Sequence, residues 1–304
     1  MTVLRDFTAW PRGPLHVAIG VFDGVHRGHQ ALVAKLRDGA RAAGASALAA
    51  TFDPLPIQLL APGAPPSALS DAEGRAHRLH EAGADHVVVF TFDEAFAALE
   101  PEEFFRRVVS AGDVKRIVVG EDFQFGHERR GDTKTLAALG ARHGCALEVM
   151  PPITIDGEVV SSTRIRNALL AGDVESAAQL LGRQYDVRGT VVHGAKRGRA
   201  LGFPTVNLAI PRERLLPRDG IYAMWVRVRD QDVAAAASLG VRPTFGGGDR
   251  TLEAFLLDWS GELYGDSLEA RFVKRLRDEL RFGSAQELSA QIERDVEATR
   301  RALG

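Results

Sequence analysis

The segment GVFDGVHRGHQALV, residues 20–33, carries two histidines three positions apart where a strand gives way to a helix. Residues 17–21 are an apolar run that reads as a strand. Asp23-Gly24 breaks it, and Leu32, Val33 and Leu36 give the next stretch one apolar side. His26 and His29 then share a face of the first helical turn. The first amides of a helix lack intrahelical partners, and the dipole concentrates partial positive charge there. Two imidazoles beside such a terminus suit the phosphates of a nucleotide. Gly28 between them removes a side chain where a phosphate would press closest. The competing reading is a pair of capping or surface histidines.

A second string, HGAKRGRALGFPTVNL, covers residues 193–208. Gly194, Gly198 and Gly202 recur every fourth residue, with Lys196, Arg197 and Arg199 between them. Glycines let backbone amides close around phosphate oxygens, and the basic side chains add charge. No Gly-Lys-Ser/Thr follows, so this is not a Walker A loop. Pro204, after Phe203, fixes the backbone beside Thr205 and Asn207. A hydroxyl and an amide two apart in an extended segment face the same side. Such hard oxygens suit a magnesium ion that keeps its waters and a nucleotide phosphate.

The elements that must hold these residues differ between the two halves. Strand patterns at 17–21, 47–52, 86–91, 116–119 and 146–150 alternate with helical ones at 28–43, 71–82, 101–111 and 132–143. Ser70 and Glu73 have capping-box spacing, and Pro101 suits a first helical position. This alternation predicts a doubly wound parallel sheet of Rossmann-like α/β type, with ligands at the carboxyl ends of its strands. Two short helices follow over 161–181, broken at Gly172-Asp173. Beyond Gly182, strand patterns at 185–192, 221–228, 233–239, 251–257 and 267–272 succeed one another. They predict a mostly antiparallel β-barrel or sandwich. Ser284 and Glu287 form another capping box, opening a C-terminal helix with Leu288, Ile292 and Val296 on one side. The expected domains are 1–182 and 183–304.

Length and composition agree with this division. The 304 residues suffice for two domains, and 45% hydrophobic with 26% charged residues describes an ordinary globular protein. A net charge of -2 offers no global attraction to nucleic acid or an anionic membrane. The single cysteine, Cys145, excludes an internal disulfide and reads as a buried structural thiol. The first residues lack the apolar core of a signal peptide, and no run approaches the ~20 residues needed to span a bilayer. The expectation is a cytoplasmic enzyme acting on small molecules, with neither nucleic acid nor membrane as partner, as a monomer or weak homo-oligomer.

The HxGH pattern of His26–His29 resembles the nucleotidyltransferase superfamily. Seven strings together resemble the bacterial bifunctional riboflavin kinase/FAD synthetases along essentially the whole chain. In order they are GVFDGVHRGH, TFDPLP (51–56), VGEDFQFG (119–126), SSTRIR (161–166), GRALGFPTVN, VRPTFGG (241–247) and TLEAFLLDWSGELYG (251–265). The resemblance implies an N-terminal domain that transfers AMP from ATP to FMN, releasing pyrophosphate. His26 and His29 would hold the ATP phosphates, with Gly20, Phe22, Asp23 and Gly28 around them. Ser162, Thr163 and Arg164 fall in the family's second phosphate-binding motif. Asp122 lies in the flavin motif, where Phe123 and Phe125 would stack on the ring or belong to the core. The C-terminal domain would move the γ-phosphate of ATP to riboflavin. There Thr205 and Asn207 match the Mg2+-ATP residues, Glu253 matches the catalytic base, and Arg271 either reaches the flavin or decorates the barrel. Three departures stand out: Leu55 replaces a frequent histidine, Val159 a basic residue, and Asp122 an asparagine of some relatives. Rival readings are another adenylyl- or cytidylyltransferase fused to an unrelated barrel, or a flavin-binding module without activity. GFPTVN and LEAFLLD count against the former, and His26, His29, Thr205, Asn207 and Glu253 against the latter.

Overall fold

Alternating apolar side chains along the strands of the first half feed two separate cores, one on each face of a sheet. The computed structural model describes residues 3–8, 10–61, 68–194, 202–241 and 250–304. By its contacts the chain divides into two compact units, Met1–Ser162 and Thr163–Gly304.

The first unit runs β1 (Val3–Leu4), β2 (Pro14–Ile19), α1 (Arg27–Ala42), β3 (Ser46–Asp53), α2 (Pro56–Leu60) and α3 (Ala72–Glu81). It continues through β4 (His86–Thr91), α4 (Glu94–Ala97), α5 (Pro101–Ala111), β5 (Asp113–Gly120), α6 (Thr133–His143), β6 (Ala146–Met150) and a small ribbon, β7 (Thr154–Ile155) with β8 (Glu158–Val159). The sheet order is β1-β4-β3-β2-β5-β6, and every pairing is parallel. Leu15, Val17 and Ile19 of β2 join a core with Phe104, Phe105 and Leu136 of α5 and α6. Ala18 faces the other way, into a core with Leu32, Val33 and Leu36 of α1 and Leu79 of α3. Helices therefore switch faces between β2 and β5, and the carboxyl ends of those strands flank the crevice where such folds bind ligands.

α7 (Ser162–Ala171) and α8 (Val174–Leu181) lead into the strands of the second unit. These are β9 (Tyr185–Val192), β10 (Thr205–Ala209), β11 (Gly220–Val228), β12 (Gln231–Val241), β13 (Arg250–Leu256) and β14 (Ser267–Arg277), before α9 (Ala285–Leu303). They form a closed barrel in the order β10-β13-β12-β11-β14-β9, antiparallel throughout. Its interior holds Tyr185, Tyr222, Met224, Leu252 and Phe272, all fully buried. α9 is tied to β14 by a fork in which Arg277 Nε and Nη2 donate to the Asp295 carboxylate at 2.8 and 2.6 Å.

The compact units divide at Ser162/Thr163, whereas the expected domains part at 182/183. α8 buries Val174, Ala177, Leu180 and Leu181 and packs on β9 and β14, so its apolar face belongs with the barrel. The cap of α3 is Asp71, whose carboxylate accepts from the Gly74 amide at 2.6 Å. Ser70 is turned inward instead, toward Asp23 and Gly24. Pro101 and Ser284 start their helices as expected, and Cys145 is buried, its thiol pushed up to about 11 by desolvation.

Candidate active sites

In the first unit the chain leaves β2 in an uncommon backbone conformation. Phe22 and Val25 have φ of 51° and 42°, and Gly24 lies between them at 80°. A β-branched residue in the left-handed region is strained, and only the surrounding structure keeps it there. Val25 N donates to Phe22 O at 3.0 Å, closing the turn, and His26 follows as the N-cap of α1. Its Nδ1 accepts from the His29 amide at 3.4 Å, so this histidine caps the helix. The His26 and His29 rings stack with centroids 3.6 Å apart and planes 16° from parallel. A Cβ at Gly28 would stand 3.2 Å from the His26 ring, so the missing side chain makes room for that ring. Gly20 likewise gives space to the Phe22 ring, 3.1 Å from where its Cβ would be.

Two imidazoles this close cannot both carry a charge cheaply. Burial, and then His26 beside it, hold His29 well below the ordinary imidazole range. Its Nδ1 is buried and finds no partner among the described residues. A buried polar atom without a partner costs free energy unless a ligand or water meets it. His29 presents its ring to a cleft of about 1050 Å³ at the ends of β2 and β5.

That cleft brings together Gly20, Phe22, Asp23, His29, Asp122, Phe123, Phe125 and Ser162. His26 and Gly28 do not line it; they act behind His29. Ser162 donates through Oγ to the Asp23 carbonyl at 2.9 Å, which ties the start of α7 to the turn. Asp23 turns its carboxylate onto the Leu69 and Ser70 amides at 3.0 and 3.1 Å. Asp122 is exposed at the end of β5. Phe125 is core, packed on Phe104, and Phe123 stacks on it at 5.5 Å, so this pair is both core and cleft wall. Thr163 is exposed and Arg164 half-buried, both in α7 at the start of the second unit.

Sequence reading missed a further part of the wall. Phe52, Phe92 and Phe96 pack within 5.7 Å of one another there, beside Leu59 and Leu60 of α2. The phenylalanines at 52, 90, 92 and 96 were a visible signal, but nothing local separates a cleft wall from a core. Leu55 is buried at the start of α2, away from any polar role.

In the second unit register does the assembly. Asn207 on β10 lies opposite Glu253 on β13, and Glu253 lies opposite Ser238 on β12. Thr205, two residues before Asn207, shares that outer face. Leu252, Ala254 and Leu256 point the other way, into the barrel. Asn207 is buried and Glu253 half-buried. A Cβ at Gly194 would overlap the Asn207 amide, so glycine is required there. Phe203 packs edge-on against Phe255 at 5.3 Å, while Gly202, at φ 87°, turns the chain toward exposed Pro204. The His193 and Tyr264 rings lie 3.9 Å apart at the end of β9, a pair sequence reading did not single out. Lys196, Gly198 and Arg199 lie outside the described residues.

Arg271 is not part of this group. It pairs with Asp232 at 2.6 Å and holds that carboxyl below its usual range. Its cross-strand neighbour on β9 is Asp186, whereas Asn207 pairs with Val192. Six residues of strand, roughly 20 Å, separate the two. Among the described residues no group of three or more His, Cys, Asp or Glu side chains is arranged to hold a metal. A magnesium ion would have to rely on hydroxyl, amide and phosphate oxygens, and the Thr205/Asn207 face offers donors of that kind.

Comparison with known proteins agrees with both halves. The family model for FAD synthetase matches residues 11–164, and that for riboflavin kinase matches residues 181–303. A bifunctional riboflavin kinase/FMN adenylyltransferase of Pseudomonas fluorescens is 40% identical over 93% of this chain and 91% of its own length. One from Escherichia coli K12 is 37% identical over 99% and 96%. A crystal structure described as a macrolide-efflux protein from Streptococcus pneumoniae superposes with a TM-score of 0.90 at 31% identity, covering 99% of each chain. Its description concerns that protein; what the likeness contributes here is the fold. No described helix of this chain is long and apolar enough to cross a membrane.

Proposed function

The chain belongs to the bifunctional riboflavin kinase/FMN adenylyltransferase family, and from that membership we propose how its two reactions are shared between its residues. It phosphorylates riboflavin to FMN and adenylylates FMN to FAD. Adenylyl transfer takes place in the cleft of the first unit. A phosphate oxygen of FMN attacks the α-phosphorus of ATP, the bond to the bridging oxygen breaks, and pyrophosphate leaves. His29 donates a hydrogen bond to the phosphate oxygens as charge builds on them, the N-terminal amides of α1 add their dipole, and His26 fixes the ring. Ser162 orders the opposite rim, with Thr163 and Arg164 completing the phosphate motif. The flavin ring lies against the phenylalanine walls. The observation that carries this reading is the His29 ring, which lines the switch-point cleft at the N-terminus of α1.

Phosphoryl transfer takes place on the outer face of the barrel. The terminal ribityl hydroxyl attacks the γ-phosphorus of ATP, Glu253 accepts the proton, and ADP leaves. Thr205 and Asn207 would supply oxygens for Mg2+, which when bound would neutralise phosphate charge. Gly194 and Gly202 belong to the same segment as that site. Positioning and electrostatics supply most of the rate in such transfers, so the base contributes part of it. Both reactions use soluble small molecules, which supports a cytoplasmic enzyme.

The test is a crossed pair of variants assayed for each product. His29→Ala should lose FAD formation by about 10²–10³-fold and keep FMN formation. Glu253→Gln should lose FMN formation by about 10²-fold or more and still convert supplied FMN to FAD. Equal loss of both products in either folded variant would contradict the assignment.

A further inference from the structure

Beneath the turn that carries the two histidines lies a buried polar network that no reacting group touches. Its centre is the guanidinium of Arg75 in α3, a side chain only 1% exposed. Arg75 Nε donates to Thr51 Oγ1 at 3.1 Å, and that hydroxyl donates to the Val21 carbonyl at 2.8 Å. Nη1 donates to the Ser70 carbonyl at 3.1 Å, and Nη2 to the Phe52 carbonyl at 2.5 Å. Ser70 in turn clamps the turn: its Oγ accepts from the Gly24 amide at 3.0 Å, and its amide donates to Asp23 at 3.1 Å. One side chain thus fixes both anchors of the strained stretch, Thr51 at its start and Ser70 at its middle.

Stability alone does not explain an arginine here. Burying a guanidinium carries a desolvation penalty, and apolar side chains of similar volume are often as stable or more so. The rigid fork instead suits three acceptors presented by two segments of chain, β3 at Thr51 and Phe52 and the loop at Ser70, with the Asp53 carboxylate 3.7 Å from Nη2, a geometry an ammonium cannot match. Arg75, Thr51 and Ser70 do not line the cleft, so they act only through the backbone they hold. Left-handed backbone at Phe22 and Val25 persists only while its surroundings enforce it. Resting on the phosphate-binding reading of His26 and His29, we propose that Arg75 is a positioning residue for adenylyl transfer, locking the 22–25 turn so that His26 holds the His29 ring toward the nucleotide.

The experiment compares the full chain with Arg75→Met, Arg75→Lys and Thr51→Val, with His29→Ala as the control for the underlying reading. Adenylyl-transfer kcat and KM, kinase turnover and an NMR titration of the His29 ring are measured on each. Arg75→Met should lower adenylyl-transfer kcat by about 100-fold with little change in KM, and leave kinase turnover unchanged. The His29 titration should move up toward the ordinary imidazole value of 6.5, because a loosened turn admits water to the ring. Arg75→Lys should not rescue. Thr51→Val, which keeps the shape and removes one hydroxyl, should give the same changes at about tenfold. An Arg75→Met enzyme with normal kcat and normal His29 titration, alongside an inactive His29→Ala, would overturn the positioning role alone. An active His29→Ala would overturn the phosphate reading itself. If Arg75→Met fails to fold, Thr51→Val decides, and unchanged kcat with an unchanged titration overturns the proposal.

Discussion

In the first unit the chemistry-bearing residues are neighbours in sequence, and the backbone presenting them is strained; in the second they come from separate strands of the barrel. His26 and His29 need only one helical turn to meet, but the turn before them needs Asp23, Thr51, Ser70 and Arg75 to hold its shape. Asn207 and Glu253 need the β10–β13 register, after which ordinary ladder geometry sets them side by side. The contrast teaches where each site is vulnerable. The first should fail when its buried scaffold is loosened, the second when anything shifts a strand or intrudes on its outer face.

Paired glycine substitutions sharpen that contrast. Gly194→Ala should have the larger effect, because its Cβ would occupy the place of the Asn207 amide and force that side chain away. Loss of FMN formation by about 100-fold with FAD formation from FMN intact is expected, since displacement by an ångström is enough. Normal FMN formation would remove Asn207 from the kinase site. Gly28→Ala should be milder. Its Cβ would press on the His26 ring at 3.2 Å, a contact relieved by a few tenths of an ångström. FAD formation should fall by about tenfold, read as a lower kcat. A larger loss than that of Gly194→Ala on its own reaction would reverse the ranking.

A smaller effect separates the units by pH. His29 and His16 both lie below the ordinary 6.5, mainly because burial disfavours their charged forms. The unfolded chain therefore binds protons that the native first unit does not, once pH falls below 6.5. Stability of that unit is greatest above 6.5 and declines as pH drops toward the folded-state values. In the barrel Asp232 and Asp278 are lowered by their arginine partners, so their contribution is lost only below the carboxylate range. Calorimetry from pH 7 to 5 should show the first unit's transition moving down while the second holds. ATP should oppose the shift, since phosphate favours imidazolium. Parallel movement of both transitions would contradict this account.

Legibility follows the same division. The strands over 86–91, 146–150 and 185–192 have the bounds their patterns predict, because each is a short apolar or alternating run between clear breaks. The histidine pair was readable since its spacing is local. Nothing local could reveal that Ser70 serves Asp23 and Gly24 rather than capping α3, or that Arg75 turns inward from a helix. Those roles depend on partners 24 to 47 residues away. The apolar face of α8 is likewise plain in sequence, but not the surface that receives it. Phe125 has a double role because cleft and core share one wall. Family resemblance put Asn207 and Glu253 in one domain, but their cross-strand pairing was not legible, since a register between distant strands leaves no periodic trace.

Separate housing of the two reactions is tested most directly by the second unit alone. A fragment of residues 163–304 keeps α8 with the barrel it packs on, together with Thr205, Asn207 and Glu253. Purified, shown to be folded by circular dichroism, and supplied with riboflavin and Mg-ATP, it should make FMN at a rate near that of the full chain and no FAD. A folded fragment that binds riboflavin yet makes no FMN would mean the first unit completes the kinase site.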